Sequence, residues 1–324
     1  MKALVTGATG FVGGHLVDVL RGRGDDVTAL VRSAERGAKL AAKGVRLVQG
    51  DLHAMDALRR ASAGQDVVYH VAGAVAARNE AAYLAGNRDG TANLLRATES
   101  TGSAGRFVLV SSMAAGGPSR KGRPRQSDDA PNPVTAYGRS KLAGETVVRG
   151  GGLPWVILRP PTVYGPNDKD NLIKVYRLAR LGVAPVFGDG TQELSAVHVI
   201  DLARAIAAAG VAPDVDRKLY YVNHPEIFTS AELVHRIAES MGRKVRVIGL
   251  PGPLARGILH LTGAAARLLR RTTILNADKA NEFLQPAWTA DPSAFMADAD
   301  WVAEHDLASG LADTWRWYRD AGWL

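Results

Sequence analysis

The chain has 324 residues, no cysteine, and a formal net charge of +8. That length suits one large domain or two smaller ones on a shared core, and the missing thiols exclude a disulfide scaffold, a thiolate zinc site and a cysteine nucleophile. The positive balance favours anionic partners, but the arginines are scattered except at Ser119–Arg125 and Arg267–Arg271, so no nucleic-acid partner is expected.

Residues 2–6, KALVT, read as a first buried strand. The run VTGATGFVGGHL, Val5 to Leu16, follows, with Gly7, Gly10 and Gly13 three residues apart. Each glycine costs backbone entropy, so the spacing needs a reason. Between a strand and a helix, Gly7 permits a tight turn and Gly10 lets a pyrophosphate approach the backbone. Gly13 lets the helix pack closely on the strand. The helix start offers unpaired N–H groups to the phosphates, and Thr6, Thr9, Phe11 and Val12 complete the expected dinucleotide loop.

A second strand, 26–32, ends at Arg32. An NAD site usually places Asp or Glu there to hold the ribose hydroxyls. A cation instead clamps a 2′-phosphate, with Arg36 or Lys39 assisting, which favours NADP. The other reading is that Arg32 stacks on adenine and accepts NAD as well. The strand at 45–49 precedes Asp51 and Leu52, where Asp51 is placed to accept from the adenine amino group. The strand at 66–71 runs into Val71, Ala72 and Gly73, beside the cofactor by sheet geometry.

A helix is expected over 87–101 and a strand over 106–111, which sets Ser111 and Ser112 at the edge where open α/β sheets bind ligands. The loop 113–135 is rich in Gly, Pro and charge. It reads either as a solvated flap or as a lid that orders over substrate. On the next helix, 137–150, Tyr137 and Lys141 lie one turn apart on one face. Hydride transfer to a carbonyl leaves an alkoxide that needs a proton, which a phenol can give. A free phenol has a pKa near ~10, and lowering it by about three units takes roughly 4 kcal/mol. Lys141 and a cationic nicotinamide are expected to supply that field, and Ser112 to hold the reacting oxygen.

After a strand at 155–159 and Pro160, helices lengthen and strands thin out, with late strands near 194–201 and 218–223. The stretch 253–271 puts Leu254, Ile258, Leu261, Ala265 and Leu268 on one helical face, read first as core packing. Its arginines leave a membrane-surface or pocket-capping role as the second reading. LADTWRWYRDAGWL closes the chain with core-type Trp and Leu spacing. No run reaches the length of a membrane span, no signal-peptide pattern follows Lys2, and no His/Asp/Glu spacing suggests a metal, so a cytoplasmic location is expected. Strand–helix alternation predicts an α/β, Rossmann-type doubly wound parallel sheet with a smaller, mostly helical C-terminal region. The division expected is 1–165 for the dinucleotide and 166–324 for the substrate, with the two late strands placed to return to the first part.

The segments TGATGFVG, NRDGTANLL, VSSMA, YGRSK, LRPPTVYGP and VHVIDLARAI occur in that order over nearly the whole length. In this the chain resembles the extended short-chain dehydrogenase/reductases. The resemblance implies Ser112, Tyr137 and Lys141 as the catalytic triad, with Ser112 preferred over Ser111 on its spacing to the tyrosine. It places Asn87 on the helix lining the nicotinamide site, as a site residue or as a cap, and Pro160 against the cofactor. It makes His198 and Asp201 structural hydrogen-bonders, and it implies a homodimer built on the helices starting near Asn87 and Tyr137.

Within that family, sugar-nucleotide enzymes commonly carry Asn where this chain has Thr162, and a diphosphate-clamping Arg where it has Leu194. Asn171 and Leu172 still resemble a nucleotide-contacting pair. Val75, Met113 and Tyr164 suggest an apolar pocket. The expected function is therefore NADP(H)-dependent interconversion of a carbonyl and a secondary alcohol on a small, largely apolar substrate. The alternative is an NAD-dependent nucleotide-sugar epimerase or dehydratase, and a third reading is a non-catalytic NADP-binding sensor.

Overall fold

The computed structural model describes residues 1–268 and 278–324, without the side chains of 264–268. Its first half alternates strand and helix: β1 (Lys2–Thr6), α1 (Phe11–Gly22), β2 (Asp26–Val31), α2 (Ala34–Ala41), β3 (Arg46–Gln49), α3 (Met55–Ser62) and β4 (Val67–His70). Then come α4 (Glu80–Leu84), a π-turn at Ala85–Asp89, α5 (Gly90–Thr101), β5 (Arg106–Val110), α6 (Met113–Gly116), α7 (Ala136–Arg149) and β6 (Trp155–Arg159).

The strands are short and β-branched and, apart from the edge strand β3, buried on both faces, as a parallel sheet covered by helices requires. Successive side chains point to opposite faces. In β1, Ala3 and Val5 join the core under α1, with Leu16, Val17 and Leu20. Leu4 joins the opposite core, under Leu58 of α3 and Leu94 of α5.

The second half contains β7 (Thr162–Tyr164), α8 (Leu172–Arg180), β8 (Val183–Phe187), β9 (Glu193–Leu194), β10 (Ala196–His198), α9 (Val199–Ala209) and β11 (Lys218–Tyr221). It ends with β12 (Phe228–Thr229), α10 (Ser230–Ser240), β13 (Arg246–Leu250), α11 (Gly252–Leu268), α12 (Ala280–Phe283), β14 (Ala287–Trp288), α13 (Ser293–Ala299) and α14 (Leu307–Asp320). β11 returns to pair with β6, completing a seven-stranded parallel sheet in the order β11-β6-β5-β4-β1-β2-β3. β10 instead pairs with β7. α9 packs beside α1, with Leu202, Ala203 and Ile206 in the same core. A separate core gathers Tyr176 of α8, Phe228, Ile237 of α10, and Leu311 and Tyr318 of α14, with Trp315, Trp317 and Trp323 partly buried against it.

α11 corrects the sequence reading. Leu254, Ile258 and Leu261 point outward, 54%, 41% and 72% exposed, while Ala255 and Leu259 are buried. The buried stripe runs through Ala255 and Leu259, one position further along the chain. Ala265, Leu268 and the cluster Arg267–Arg271 lie outside the described side chains. Among the described residues no helix is long and apolar enough to cross a membrane.

Candidate active site

Strand order reverses between β1 and β4, and ligands of open α/β sheets bind at such a switch point. Here Thr6 pairs with His70 across the two strands. The His70 ring bonds the Thr6 hydroxyl at 2.7 Å and the Thr91 hydroxyl of α5 at 2.9 Å. Full burial, then the Lys141 charge, pushes this imidazole down to about 3, so it is neutral. The Thr6 hydroxyl also accepts from the Ala72 amide at 3.3 Å, tying the loops after β1 and β4 together.

The glycine loop has the shape of a phosphate cradle. Gly7 has φ +74°, and a Cβ there would lie 2.7 Å from the Ala72 amide nitrogen. A Cβ on Gly13 would lie 2.1 Å from the Gly7 carbonyl oxygen. Gly10 is the N-cap of α1, with no side-chain cap and no acidic residue in the first turn. The first-turn N–H groups of α1 are thus left without a side-chain acceptor, which suits an anion. Thr9 and Gly10 are exposed, while Phe11 and Val12 are half-buried.

Arg32 is exposed immediately after β2, and no described residue pairs with it. Asp51, also exposed, accepts from the His53 amide at 2.8 Å. Leu52 packs over Gly90, and its carbonyl accepts from Asn93 at 2.9 Å. Val71, Ala72 and Gly73 follow β4, and the buried Pro160 follows β6, its carbonyl accepting from the Met113 amide at 2.9 Å. These positions share the C-terminal edge of the sheet.

The two serines separate by environment. The Ser111 hydroxyl donates to Glu145 Oε1 at 2.5 Å, inside a buried pair in which Arg159 Nη2 meets Glu145 Oε2 at 2.6 Å. Ser112 caps α6, accepting from the Ala114 amide at 3.1 Å, and its hydroxyl stands near enough to the Tyr137 hydroxyl to lower that phenol's proton affinity. Gly138 makes that meeting possible, since a Cβ there would lie 2.3 Å from the Ala114 carbonyl oxygen. Thr135 caps α7 through the Gly138 amide at 3.1 Å. Lys141 is buried and donates to the Val110 carbonyl at 2.7 Å.

Asn87 sits in the π-turn, a feature frequent at functional sites. It accepts from the Ala74 amide at 2.7 Å and donates to the Ala74 carbonyl at 3.0 Å and the Ser140 hydroxyl at 2.9 Å. It therefore pins the loop after β4 to the helix of Tyr137 and Lys141. A Cβ on Gly73 would lie 2.9 Å from Asn87 Oδ1 and 3.4 Å from Lys141 Nζ, so this glycine lets the loop close over both.

The electrostatics depart from the sequence expectation. The surrounding protein does not acidify Tyr137. Burial pushes the phenol up to about 12; the Ser112 hydroxyl pulls down, and Glu282 and Tyr83 add to the rise. Burial brings the Lys141 ammonium down to about 8, with Glu145 opposing. Desolvation of each group outweighs the charges around it.

On the substrate side, Thr162, Tyr164 and Leu194 meet around one small apolar cavity with Leu172, Phe228 and Leu233. Leu194 lies between Phe228 and Trp288 on neighbouring strands. Met113 is elsewhere, 2% exposed beneath Tyr221 and Ala290, and is a packing residue. Val75 is exposed on the loop after β4. Asn171 is exposed and spends its amide on the Val163 carbonyl at 3.2 Å. Asp201 accepts from the His305 amide at 2.9 Å, whereas the His198 ring has no hydrogen-bond partner among the described residues and stacks on His305.

The loop 113–135 is docked on the 287–290 segment. The Ser119 amide donates to the Ala287 carbonyl at 3.1 Å and the Arg125 amide to the Thr289 carbonyl at 2.9 Å. The buried Arg125 guanidinium donates to the carbonyls of Pro118, Asp129 and Ala130. Backbone pairing with 287–290 explains the docking; polar composition alone does not reveal it.

Two groups beside Tyr137 carried no sequence signal. The Tyr83 ring of α4 stands 5.9 Å from the Tyr137 ring. Glu282 comes from α12, far along the chain. Only the tertiary contact between α7 and the 278–283 segment reveals it.

Comparison with known proteins gives concordant matches. The model of the NAD dependent epimerase/dehydratase family matches residues 3–223. A ceramide reductase of Caulobacter vibrioides is 35% identical over 323 residues, 99% of this chain and 95% of that one. A 4-hydroxy-2-methyl-3-oxo-4-farnesyl-3,4-dihydroquinoline-1-oxide ketoreductase of Stigmatella aurantiaca is 28% identical over 88% of this chain and 91% of its own. Among solved structures, MoeE5 in complex with UDP-glucuronic acid and NAD has a TM-score of 0.78 at 26% identity, covering 99% of this chain and 100% of that one.

Proposed function

The chain belongs to the NAD-dependent epimerase/dehydratase family of extended short-chain dehydrogenase/reductases, and from that premise we propose an NADP(H)-dependent reductase of a ketone on a long, apolar substrate. One observation carries the choice of substrate. Where a nucleotide sugar needs a cation against its diphosphate, Leu194 is paired between Phe228 and Trp288 on the neighbouring strands. An uncompensated diphosphate there is costly. The relatives named as acting on a ceramide and on a farnesylated quinoline point to the same substrate character. Arg32, exposed just after β2 and without a partner among the described residues, supports a 2′-phosphate and hence NADP.

The cradle at Gly7, Gly10 and Gly13 fits a pyrophosphate, and the loop Val71–Gly73 with Asn87 fits the nicotinamide end. When bound, the reduced nicotinamide supplies a hydride to the carbonyl carbon. Tyr137 donates its hydroxyl proton to the carbonyl oxygen, so that C=O becomes CH–OH. Ser112 hydrogen-bonds that oxygen and fixes its distance from Tyr137. Lys141, held on the Val110 carbonyl against the Gly73 loop, is the cation assigned to the nicotinamide end. We assign residues 1–165, with β11, to the nucleotide and most of the remainder to the substrate. We also infer a homodimer built on α5 and α7, which light scattering checks as twice the monomer mass.

The test is oxidation of NADPH and NADH by the purified protein with long-chain ketones and, separately, UDP-sugars. Ketone-dependent consumption of NADPH over NADH is expected. Conversion of a UDP-sugar without net cofactor consumption establishes the epimerase reading instead, which the UDP-sugar complex of MoeE5 favours.

A further inference from the structure

Asp278 accepts a hydrogen bond from the Ala136 amide at 2.8 Å, one residue before Tyr137. This anchors the 278–283 segment against the first turn of α7. One helical turn further on stands Glu282, its carbonyl held by Trp288 Nε1 at 2.8 Å. Its neighbour Phe283 stacks on Phe187 with ring centres 4.7 Å apart, so the backbone is fixed on both sides. Lys279 donates to Glu282 Oε1 at 2.5 Å. Oε2 is buried and has no hydrogen-bond partner among the described residues. Glu282 lies close enough to Tyr137 and Tyr83 to raise the proton affinity of both phenols, yet bonds neither.

A desolvated carboxylate oxygen beside a reacting group needs a donor. Lys279 already balances the charge, so a further cation is not called for. A neutral O–H or N–H that arrives with the substrate satisfies Oε2 without adding charge. We propose that Glu282 is a specificity residue whose Oε2 accepts a hydrogen bond from a hydroxyl or amide N–H carried on the carbon next to the reacting carbonyl. This rests on the reductase reading above and narrows its substrate class to α-hydroxy or α-acylamino long-chain ketones.

The experiment compares four ketones of equal chain length: the α-hydroxy ketone, the α-acetamido ketone, its N-methylated form, and the plain methyl ketone. With wild-type protein, kcat/KM for at least one donor-bearing ketone exceeds that for its donor-free counterpart by about 10- to 100-fold. The hydroxy and acetamido arms tell which donor is used. Glu282→Met brings that ratio to within about threefold, whereas a purely structural role lowers all four together. Should Glu282→Met fail to fold, Glu282→Gln keeps the size and removes the charge, and must lower the ratio roughly threefold or more. Equal turnover of all four ketones by the wild type, or a ratio untouched by the substitutions, overturns the inference and leaves the reductase reading standing. NADPH oxidation with none of them overturns that reading and the inference with it.

Discussion

Tyr137 combines a half-buried ring, a hydroxyl with Ser112 nearby, and a pKa raised to about 12. A phenol this weakly acidic stays protonated at working pH and is ready to donate. Tyr137→Phe is expected to lower ketone reduction by roughly 10²- to 10⁴-fold while NADPH still binds, as read by fluorescence titration. Wild-type turnover in that variant removes the phenol from the mechanism. Lys141, with its pKa near 8, loses its charge as pH rises past that value. Reduction should therefore decline above pH about 8, in a limb that Tyr137 at about 12 cannot produce. Lys141→Arg keeps the charge and should carry the limb above pH about 10 if the protein stays active; a limb at unchanged pH would assign it elsewhere. Arg32→Ala should raise KM for NADPH roughly tenfold and leave NADH alone. Equal effects on both cofactors would mean that Arg32 touches only what they share.

Elements bring these residues together through close backbone approach. α6 and α7 meet because Gly138 has no side chain where the Ala114 carbonyl passes. Gly138→Ala should cost about 1–3 kcal/mol of stability. By pushing Ser112 off Tyr137 it should also cost about 100-fold in kcat. Thermal melts and steady-state kinetics separate the two effects, and full activity at lowered stability shows that the Ser112 contact is dispensable. Elements also mark where sequence reading succeeds. The turn between β1 and α1 is local, so three glycines at fixed spacing suffice to place it. The Tyr137–Lys141 pair lies on one helix and follows from its period. α11 has an apolar pattern as regular as any, yet Leu254 and Leu261 face outward, because periodicity does not say which face finds a partner. The 113–135 loop reads as a solvated flap or a lid, and its docking is not legible in the sequence, because its partners at 287–290 meet it only in three dimensions.

At the scale of the molecule, two neutral imidazoles sit inside different cores. Burial lowers both His70 and His198 to about 3 from an unfolded value of 6.5. A histidine with a lowered folded pKa favours the folded state above its unfolded pKa, and that stability is lost as pH falls. Between pH 6.5 and about 3 the two together should cost about 3 kcal/mol per pH unit at most. A melting temperature that declines on acidification below 6.5, less steeply in His198→Leu, is the expected result. A flat profile from 6.5 to 4 would mean that neither ring is held neutral.

The same division holds for the protein as a whole. From the chain alone follow the parallel sheet, the phosphate cradle, the cation after β2 and the phenol–amine pair, since each depends on neighbours within a turn or a strand. Folding alone decided that Ser111 is bound to Glu145, itself paired with Arg159, while Ser112 stands near Tyr137. It also decided that Met113 is buried away from the pocket, and that Glu282 stands beside the phenol. Those outcomes depend on desolvation and on contacts between distant segments, which no local pattern of residues encodes.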